Sequence, residues 1–421
     1  MENTIVKING MIYKIREMSG FAFVLLQTKK EVLQCVYSTD FSQFALSELK
    51  ENMAVIISGH VVKDERSRTG TEVRILSFEA LSVPTEDTPV VINNKEVLAT
   101  LDTLLDYRPV TLRNAKQRAI FQIQSGICRG FRKFLDDNEF TEIHSPKIVF
   151  SGAEGGANIF KLDYFGKEAY LAQSPQFYKQ IMVGVFERVY EIAPVFRAEK
   201  HDTSRHVNEY TSVDIEMGFI QSFHDIMQLQ TLMLSQTLKF LDEHYAEELA
   251  LLQVDVPTFT DIPTVKFLEA KEMISRTYNR EITDYEDFEP EEEKLLSDLI
   301  KKQTDRDFVF VTHYKSSKRP FYAMDSQENP ELTDSFDLLF RGVEITTGGQ
   351  RIHDYNKQIA KMQMLDMNTE AFTSYLMAHK YGLPPHGGFG LGLERFTAKL
   401  LGFQNVRYAT LFPRDTARLE P

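Results

Sequence analysis

The chain opens on an alternating pattern. FAFVLL, VLQCVY, MAVIISGHVV and TEVRILSFEALSV, all within residues 1–85, are short apolar or alternating runs. Ser-Gly, Lys-Lys and charged turns separate them. A period of two is that of a half-buried strand. Four or five such runs in so short a segment predict a small closed barrel, with the OB-fold the leading candidate.

The pattern then changes. Residues 86–105 carry Pro89, Asn93 and Asn94 before a polar helical start, and read as a linker. AKQRAIFQIQSGICRGFRKFLDDNEF spaces its apolar residues as a long amphipathic helix does. Beyond it, strand-like segments (KEAYLAQS, RVYEIAPVFRAE, YTSVDIEMGFI, FVFVTHY, GVEIT) are interleaved with helical ones (SFHDIMQLQTLMLSQTLKFLDEHYAEEL, TEAFTSYLMAHKYG). Few βαβ alternations occur, so residues 106–421 are expected to form an antiparallel sheet flanked by helices, and the chain an α+β protein. There is no internal repeat.

Composition narrows the classes. The chain has 421 residues and a formal net charge of −13, which argues against a polycation that grips nucleic acid everywhere. Residues 1–85 hold ten basic and ten acidic side chains, so all the excess acidity lies beyond them. Residues 281–308 alone hold eleven acids and four bases, a net −7, and read as a solvated surface insertion. Cys35 and Cys128 have no paired spacing, which argues against a disulfide scaffold and a thiolate zinc site. MENTIVKING has no apolar leader core, and no long apolar run follows. These features predict a cytoplasmic protein with no membrane partner.

Three segments carry chemistry. PVFRAEKHDTSRHVNEYTSVDIE (194–216) sets Arg197, Arg205 and His206 in a short strand–loop–strand, with Glu199, Glu209, Asp214 and Glu216 alternating along it. Arg makes forked contacts with phosphate or carboxylate. The simpler reading is a hairpin with surface ion pairs. GVEITTGGQRIHDY (342–355) offers Glu344, with Asp337 seven residues upstream in SFDLLF. Hard carboxylate oxygens suit magnesium on nucleotide phosphates, although two acids in strands are more often structural. PPHGGFGLGLERF (384–396) has the spacing of a dinucleotide fingerprint but no framing strand and ribose-binding acid. It reads better as a Gly-rich strand beneath a ligand, leading into a helix that carries Arg395.

In this order the three segments resemble motif 2, the metal-binding strand and motif 3 of class II aminoacyl-tRNA synthetases. EFTEIHSPKI (139–148) resembles motif 1, whose proline, here Pro146, implies a homodimer. The barrel and core together resemble the aspartate–asparagine–lysine subgroup. The compact length is similar to that of its archaeal and eukaryotic-style aspartyl members. LAQSPQFYKQ (171–180) resembles the aspartyl signature, in which a lysine, here Lys179, pairs with the substrate side-chain carboxylate. A lysine facing a neutral amide would leave a charge uncompensated.

The resemblance implies a ligase that joins L-aspartate to tRNA-Asp through aspartyl-adenylate, with ATP as substrate and Mg2+ as cofactor. By the match, Arg197 bridges the α-phosphate and the substrate carboxylate, and Glu199 touches the adenine end. Arg205 and His206 hold the distal phosphates. Arg395, preceded by Gly392, holds the γ-phosphate or stacks on adenine. Asp337 and Glu344 hold magnesium, with Thr347 near it where relatives often have Ser. Lys179 and Arg351 clamp the substrate side chain. Glu154 faces its ammonium, and Ser174, Gln176 and Asp214 support it.

The barrel is expected to bind the anticodon, with Phe23 stacking and Gln34 and Glu72 at base edges. Which tRNA is charged turns on the last anticodon base. The matching determinants are Tyr13, which tolerates C or U, and Arg68, whose charge favours strict use of tRNA-Asp. Charging of tRNA-Asn as well is the alternative, and an asparaginyl enzyme a further one. A non-catalytic RNA-binding paralogue would have lost a motif arginine or a metal acid, and all are present. An asparagine-forming ligase on the same core would lack the barrel.

Overall fold

The computed structural model describes residues 5–29, 31–65, 70–152, 158–200 and 203–420. Two of the site residues named above, Arg68 and Glu154, lie outside these. The chain divides into two compact units, residues 1–114 and 115–421.

In the first unit five strands close into a barrel in the order β1-β2-β3-β5-β4. They are β1 (Ile5–Glu17), β2 (Phe21–Gln27), β3 (Val32–Ser38), β4 (Ala54–Lys63) and β5 (Thr71–Ser82). Alternation decides what fills it. Ala22, Val24 and Leu26 of β2 point inward with Cys35, Val55, Ile57 and Ile75, and all are fully buried. Burial pushes the Cys35 thiol up to about 12, with Glu72 adding to the rise, so the thiol is inert.

Residues 100–114, with α1 (Leu101–Asp106) and α2 (Arg108–Thr111), belong to this unit. The second compact unit begins at Ala115. The reason is local: Thr111 Oγ1 donates to the Leu104 carbonyl (2.8 Å) and Asn114 Nδ2 to that of Ile92 (2.8 Å), which tie the segment back on itself.

The second unit starts with the expected amphipathic helix, α3 (Ala115–Asp137). Ile120, Ile123, Ile127, Phe131, Phe134 and Leu135 form its buried stripe. Two-residue β6 (Thr141–Glu142) follows. A small sheet then runs β7-β9-β8, from β7 (Ile148–Val149), β8 (Lys161–Tyr164) and β9 (Lys167–Leu171). After α4 (Gln176–Phe186) come β10 (Arg188–Phe196), β11 (Glu209–Gly218), α5 (Phe223–His244), α6 (Ala246–Leu252), β12 (Thr264–Lys266) and α7 (Phe267–Tyr278). The chain continues through α8 (Pro290–Thr304), β13 (Phe308–Thr312), β14 (Ser335–Phe340), β15 (Val343–Gln350), α9 (Tyr355–Met364), α10 (Thr373–Tyr381), β16 (His386–Gly392) and α11 (Leu393–Leu400).

Eight strands form one sheet in the order β12-β13-β14-β15-β16-β11-β10-β6. Only the outermost pairs, β12–β13 and β10–β6, are parallel. α3, α5 and α11 cover one face through a core that includes Phe131, Leu234, Leu238, Phe336, Phe340, Phe389 and Phe396. Each such side chain contributes ~1.5–3 kcal/mol on burial.

The acidic stretch differs from its expected form. α8 is packed into a core cluster through Leu296 and Ile300, against Val265, Phe267 and Val311. Lys271 Nζ meets Glu292 at 2.7 Å with both side chains buried. Net charge measures a segment's excess, not its exposure, and here several of the acids have internal partners.

Candidate active site

The second unit has a cavity of about 370 Å3 that opens beside the central strands. Its floor is set by register. Asp214 lies opposite Gly390 and Glu216 opposite Gly388, while Thr347 and Gly349 of β15 flank the same two glycines. A Cβ on Gly388 would meet the Glu216 backbone Cα at 2.8 Å, and one on Gly390 would come within 3.2 Å of Asp214 Oδ1. The Gly-rich strand therefore clears space over two carboxylates, and the dinucleotide fingerprint is ruled out.

α4 supplies the facing wall. Its buried positions are Gln176, Lys179, Gln180 and Val183, a helical spacing on which the inward face is mostly polar. Lys179 Nζ donates to Asp214 Oδ1 (2.9 Å) and to the Phe389 carbonyl (3.1 Å), and lies 3.4 Å from Glu216 Oε2. Arg351 forks onto Glu216 at 2.9 and 3.3 Å and donates to the Gly388 carbonyl at 2.9 Å. Lys179, Asp214, Glu216 and Arg351 are 1, 3, 0 and 6 % exposed. Burial pushes the Glu216 carboxyl up, but Arg351 and Lys179 outweigh it and hold the group below its usual range. Two buried cations thus meet two buried carboxylates. Beside them Ser174 Oγ and Gln176 Nε2 are buried without a hydrogen-bond partner among the described residues. Such donors point to a polar ligand.

The other end of the cavity is more open. Arg197 lies 5.9 Å from the centre of the Tyr210 ring, and Asn158 Nδ2 reaches Glu199 at 3.3 Å. Thr203 Oγ1 is 2.6 Å from His206 Nδ1. Burial, with Arg395 adding, holds the His206 imidazole below its usual value. Arg395, in the first turn of α11 after Gly392, donates to the carbonyls of Arg205 (3.2 Å) and Glu344 (3.1 Å).

Asp337 and Glu344 sit on neighbouring strands. Thr347 pairs with Asp337 in register and donates to Glu344 Oε1 at 3.1 Å. Burial pushes the Asp337 carboxyl up to about 6; Arg319, 2.8 Å from Oδ2, opposes the rise, and Glu344 adds to it. Among the described residues no three acids, histidines or cysteines converge as a metal cage. Two carboxylates and a hydroxyl fit magnesium when phosphate and water complete its six oxygens. Asp337 Oδ1, buried with no hydrogen-bond partner among the described residues, is consistent with that donor set.

The structure therefore brings together Ser174, Gln176, Lys179, Arg197, Glu199, Arg205, His206, Asp214, Glu344, Thr347, Arg351, Gly392 and Arg395 around one cavity, with Asp337 opposite Thr347 on the neighbouring strand. The sequence alone gives Arg319, Glu293 and Glu394 no role. Both oxygens of Glu394 accept from the Thr211 amide at 3.0 Å, and burial raises its carboxyl to about 7. Glu216 was visible as a two-residue alternation with Asp214 that puts both on one face. KSSKRPFY gives no comparable signal for Arg319.

In the barrel, Leu25 pairs with Gln34 and Phe23 with Val36, while Cys35 pairs with Val73 and Val36 with Arg74. Phe23, Gln34 and Glu72 therefore share the outer face of β2, β3 and β5, and Phe23 is not core. Tyr13 falls at a register shift between Ile12 and Lys14, a bulge that re-aims its side chain. Its hydroxyl donates to the Ile92 carbonyl at 3.1 Å.

Residues 100–416 match the tRNA synthetases class II (D, K and N), and residues 6–81 match the OB-fold nucleic acid binding domain. This chain belongs to the class II tRNA synthetases of the D, K and N family. It is 46% identical over 417 residues to the aspartate–tRNA(Asp/Asn) ligase of Thermus thermophilus, covering 99% of this chain and 96% of that one. It is 37% identical over 423 residues to the aspartate–tRNA(Asp) ligase of Pyrococcus horikoshii, again with 99% and 96% covered. Among solved structures, asparaginyl-tRNA synthetase from Pyrococcus horikoshii with asparaginyl-adenylate superposes with a TM-score of 0.91 at 30% identity, over 100% of this chain and 97% of that one. The family fold thus serves both amino acids, and the substrate must be read from the site.

Proposed function

We propose that this chain is an aspartate–tRNA ligase. The buried pair Lys179 and Arg351 at the closed end of the cavity carries the reading, because two cations suit a side-chain carboxylate and not an amide. One aspartate α-carboxylate oxygen attacks the α-phosphorus of ATP, the bond to the bridging oxygen breaks, and pyrophosphate leaves. The terminal ribose hydroxyl of tRNA then attacks the adenylate carbonyl. AMP leaves and the hydroxyl proton is lost.

Positioning and charge neutralisation dominate the first step. Arg197 spans the α-phosphate and the substrate carboxylate, and Glu199 meets adenine. Arg205, His206 and Arg395 take the distal phosphates. Aspartate's side chain displaces Asp214 from Lys179, which frees Asp214 for the substrate ammonium. Ser174 Oγ and Gln176 Nε2 then gain partners. Asp337 and Glu344, with Thr347, would hold magnesium, which supplies neutralisation of phosphate charge.

We place the homodimer here as well. Pro146, Ile148 and Phe150, in and just after the motif 1 segment, are exposed, and sedimentation at micromolar concentration tests it. The stripe of α3 gives no support, because it is spent on the protein's own core. The cytoplasm, which holds tRNA and ATP, is the proposed location. Among the described residues no helix is long and apolar enough to cross a membrane.

Phe23, Gln34 and Glu72 form the proposed anticodon face. A second reading, that tRNA-Asn is charged too, is favoured by one observation. The Tyr13 hydroxyl is engaged by the Ile92 carbonyl, which leaves it poorly placed to choose between C and U. ATP–pyrophosphate exchange with each amino acid tests the ligase, and aspartylation of purified tRNA-Asn against tRNA-Asp separates the two tRNA readings.

A further inference from the structure

The acidic segment that the sequence offered as a solvated insertion sends one carboxylate to an arginine of the active site. Glu293 lies in the first turn of α8, where acids usually serve the helix N-terminus. That task is already filled, because Glu292 Oε2 accepts from the Glu289 amide at 2.8 Å. The Glu293 carboxylate turns away instead. Its Oε2 accepts from Arg205 Nη2, and the same oxygen accepts from the backbone amide of Glu344 at 3.0 Å. Glu293 is 8 % exposed, so both contacts are shielded from water.

The two partners belong to opposite sides of the nucleotide end. Arg205 lies on the loop between β10 and β11, and Glu344 on β15. Arg395 joins the same two residues from a third side, through their backbone carbonyls. Among the described residues Arg205 Nε is buried without a hydrogen-bond partner, so the guanidinium holds a donor in reserve while Glu293 fixes its other edge. A guanidinium with one edge anchored and one free is pre-organised for an incoming anion.

We propose that Glu293 is a positioning residue for ATP, and that it holds the Arg205 guanidinium and the Glu344 strand in one register before the phosphates arrive. Its carboxylate does not line the cavity. It acts through Arg205, and the proposal rests on the assignment of that arginine to the distal phosphates. A helix otherwise remote from the reaction thereby becomes part of the phosphate site.

Two measurements on the full chain test this. The first is ATP binding with magnesium by isothermal titration calorimetry, and the second is aspartate-dependent ATP–pyrophosphate exchange. Glu293→Gln keeps an acceptor for the Glu344 amide and removes the charge from Arg205. It should raise the ATP Kd and KM roughly tenfold, with the aspartate KM changed by less than about twofold. Glu293→Ala removes both contacts and should lose more. In an Arg205→Gln background, Glu293→Gln should cost nothing further, because the two act as one unit. Unchanged ATP affinity in Glu293→Gln overturns the proposal. So do equal losses for ATP and aspartate, or full additivity with Arg205→Gln. If the parent binds ATP and does not exchange with aspartate, the amino-acid assignment has failed, and calorimetry still decides on Glu293.

Discussion

The two ends of the cavity are built on opposite principles. At the aspartate end Lys179, Asp214, Glu216 and Arg351 are all buried and already paired, two cations to two anions. At the nucleotide end Arg197, Arg205, His206 and Arg395 are half-buried, and the arginines use backbone carbonyls, a ring face or Glu293 as partners. At the first end the charges are already paired before substrate arrives, and so it recognises by exchange of partners. The second is held open, and recognises by accepting charge. The same residue types therefore contribute to stability at one end and to little besides binding at the other.

Breaking the closed end should have the largest effect. Lys179→Leu leaves Asp214 and Glu216 facing Arg351 alone. Loss of one partner from a buried pair costs ~3–5 kcal/mol, so both stability and aspartate use should fall, the latter at least about a hundredfold. Denaturant unfolding and exchange kinetics read the two losses. Exchange with aspartate at the parent's rate would sink the side-chain assignment.

At the open end the losses should separate. Arg197→Lys removes a forked donor and should lower kcat/KM for ATP by ~100-fold. The melting temperature should stay within a few degrees. A large drop in Tm would mean that the two ends are not built differently.

His386 sharpens the contrast, because it lies behind the closed end. Gln180 Nε2 is 3.1 Å from its Nε2, and its Nδ1 lies 2.8 Å from the Pro384 carbonyl, which fits a neutral ring protonated at Nδ1. Burial lowers its pKa to about 4, and Glu216 opposes that shift. The unfolded chain therefore binds the proton more readily between pH 6.5 and 4. Stability present above pH 6.5 should be lost as pH falls, by roughly 1 kcal/mol per pH unit from this group. His386→Gln should flatten that part of the profile, and a profile equally steep in the variant would remove His386 as its source.

The smallest effect belongs to the barrel. Phe23→Ala should raise the KM for tRNA by ~10-fold, since one base–aromatic stack contributes ~1–3 kcal/mol. Exchange measured without tRNA should be unchanged. Loss of exchange would show that the face does more than hold RNA.

The sequence made much of this legible. Alternation in FAFVLL and spacing in AKQRAIFQIQ express which face of an element meets the core, so barrel and helix were readable. The motif arginines and carboxylates were readable because charged side chains at such positions need a ligand or a partner. Pairings across long sequence separations were not. Nothing near Glu293 announces Arg205, which precedes it by two strands and three helices. Nothing in GMIYKI announces the bulge that turns Tyr13 away. Both depend on tertiary register, which no local window contains.

The quartet at the closed end also bears on how such a protein can change over generations. Replacing any one of Lys179, Asp214, Glu216 or Arg351 strands a buried charge. The cost is a large share of the ~5–15 kcal/mol that holds an ordinary domain together. A lineage that drifts toward a neutral amino acid must therefore alter a cation and a carboxylate together, or pass through an ancestor that folds poorly. Substrate choice here is inherited as a block, protected by the instability of its halfway forms.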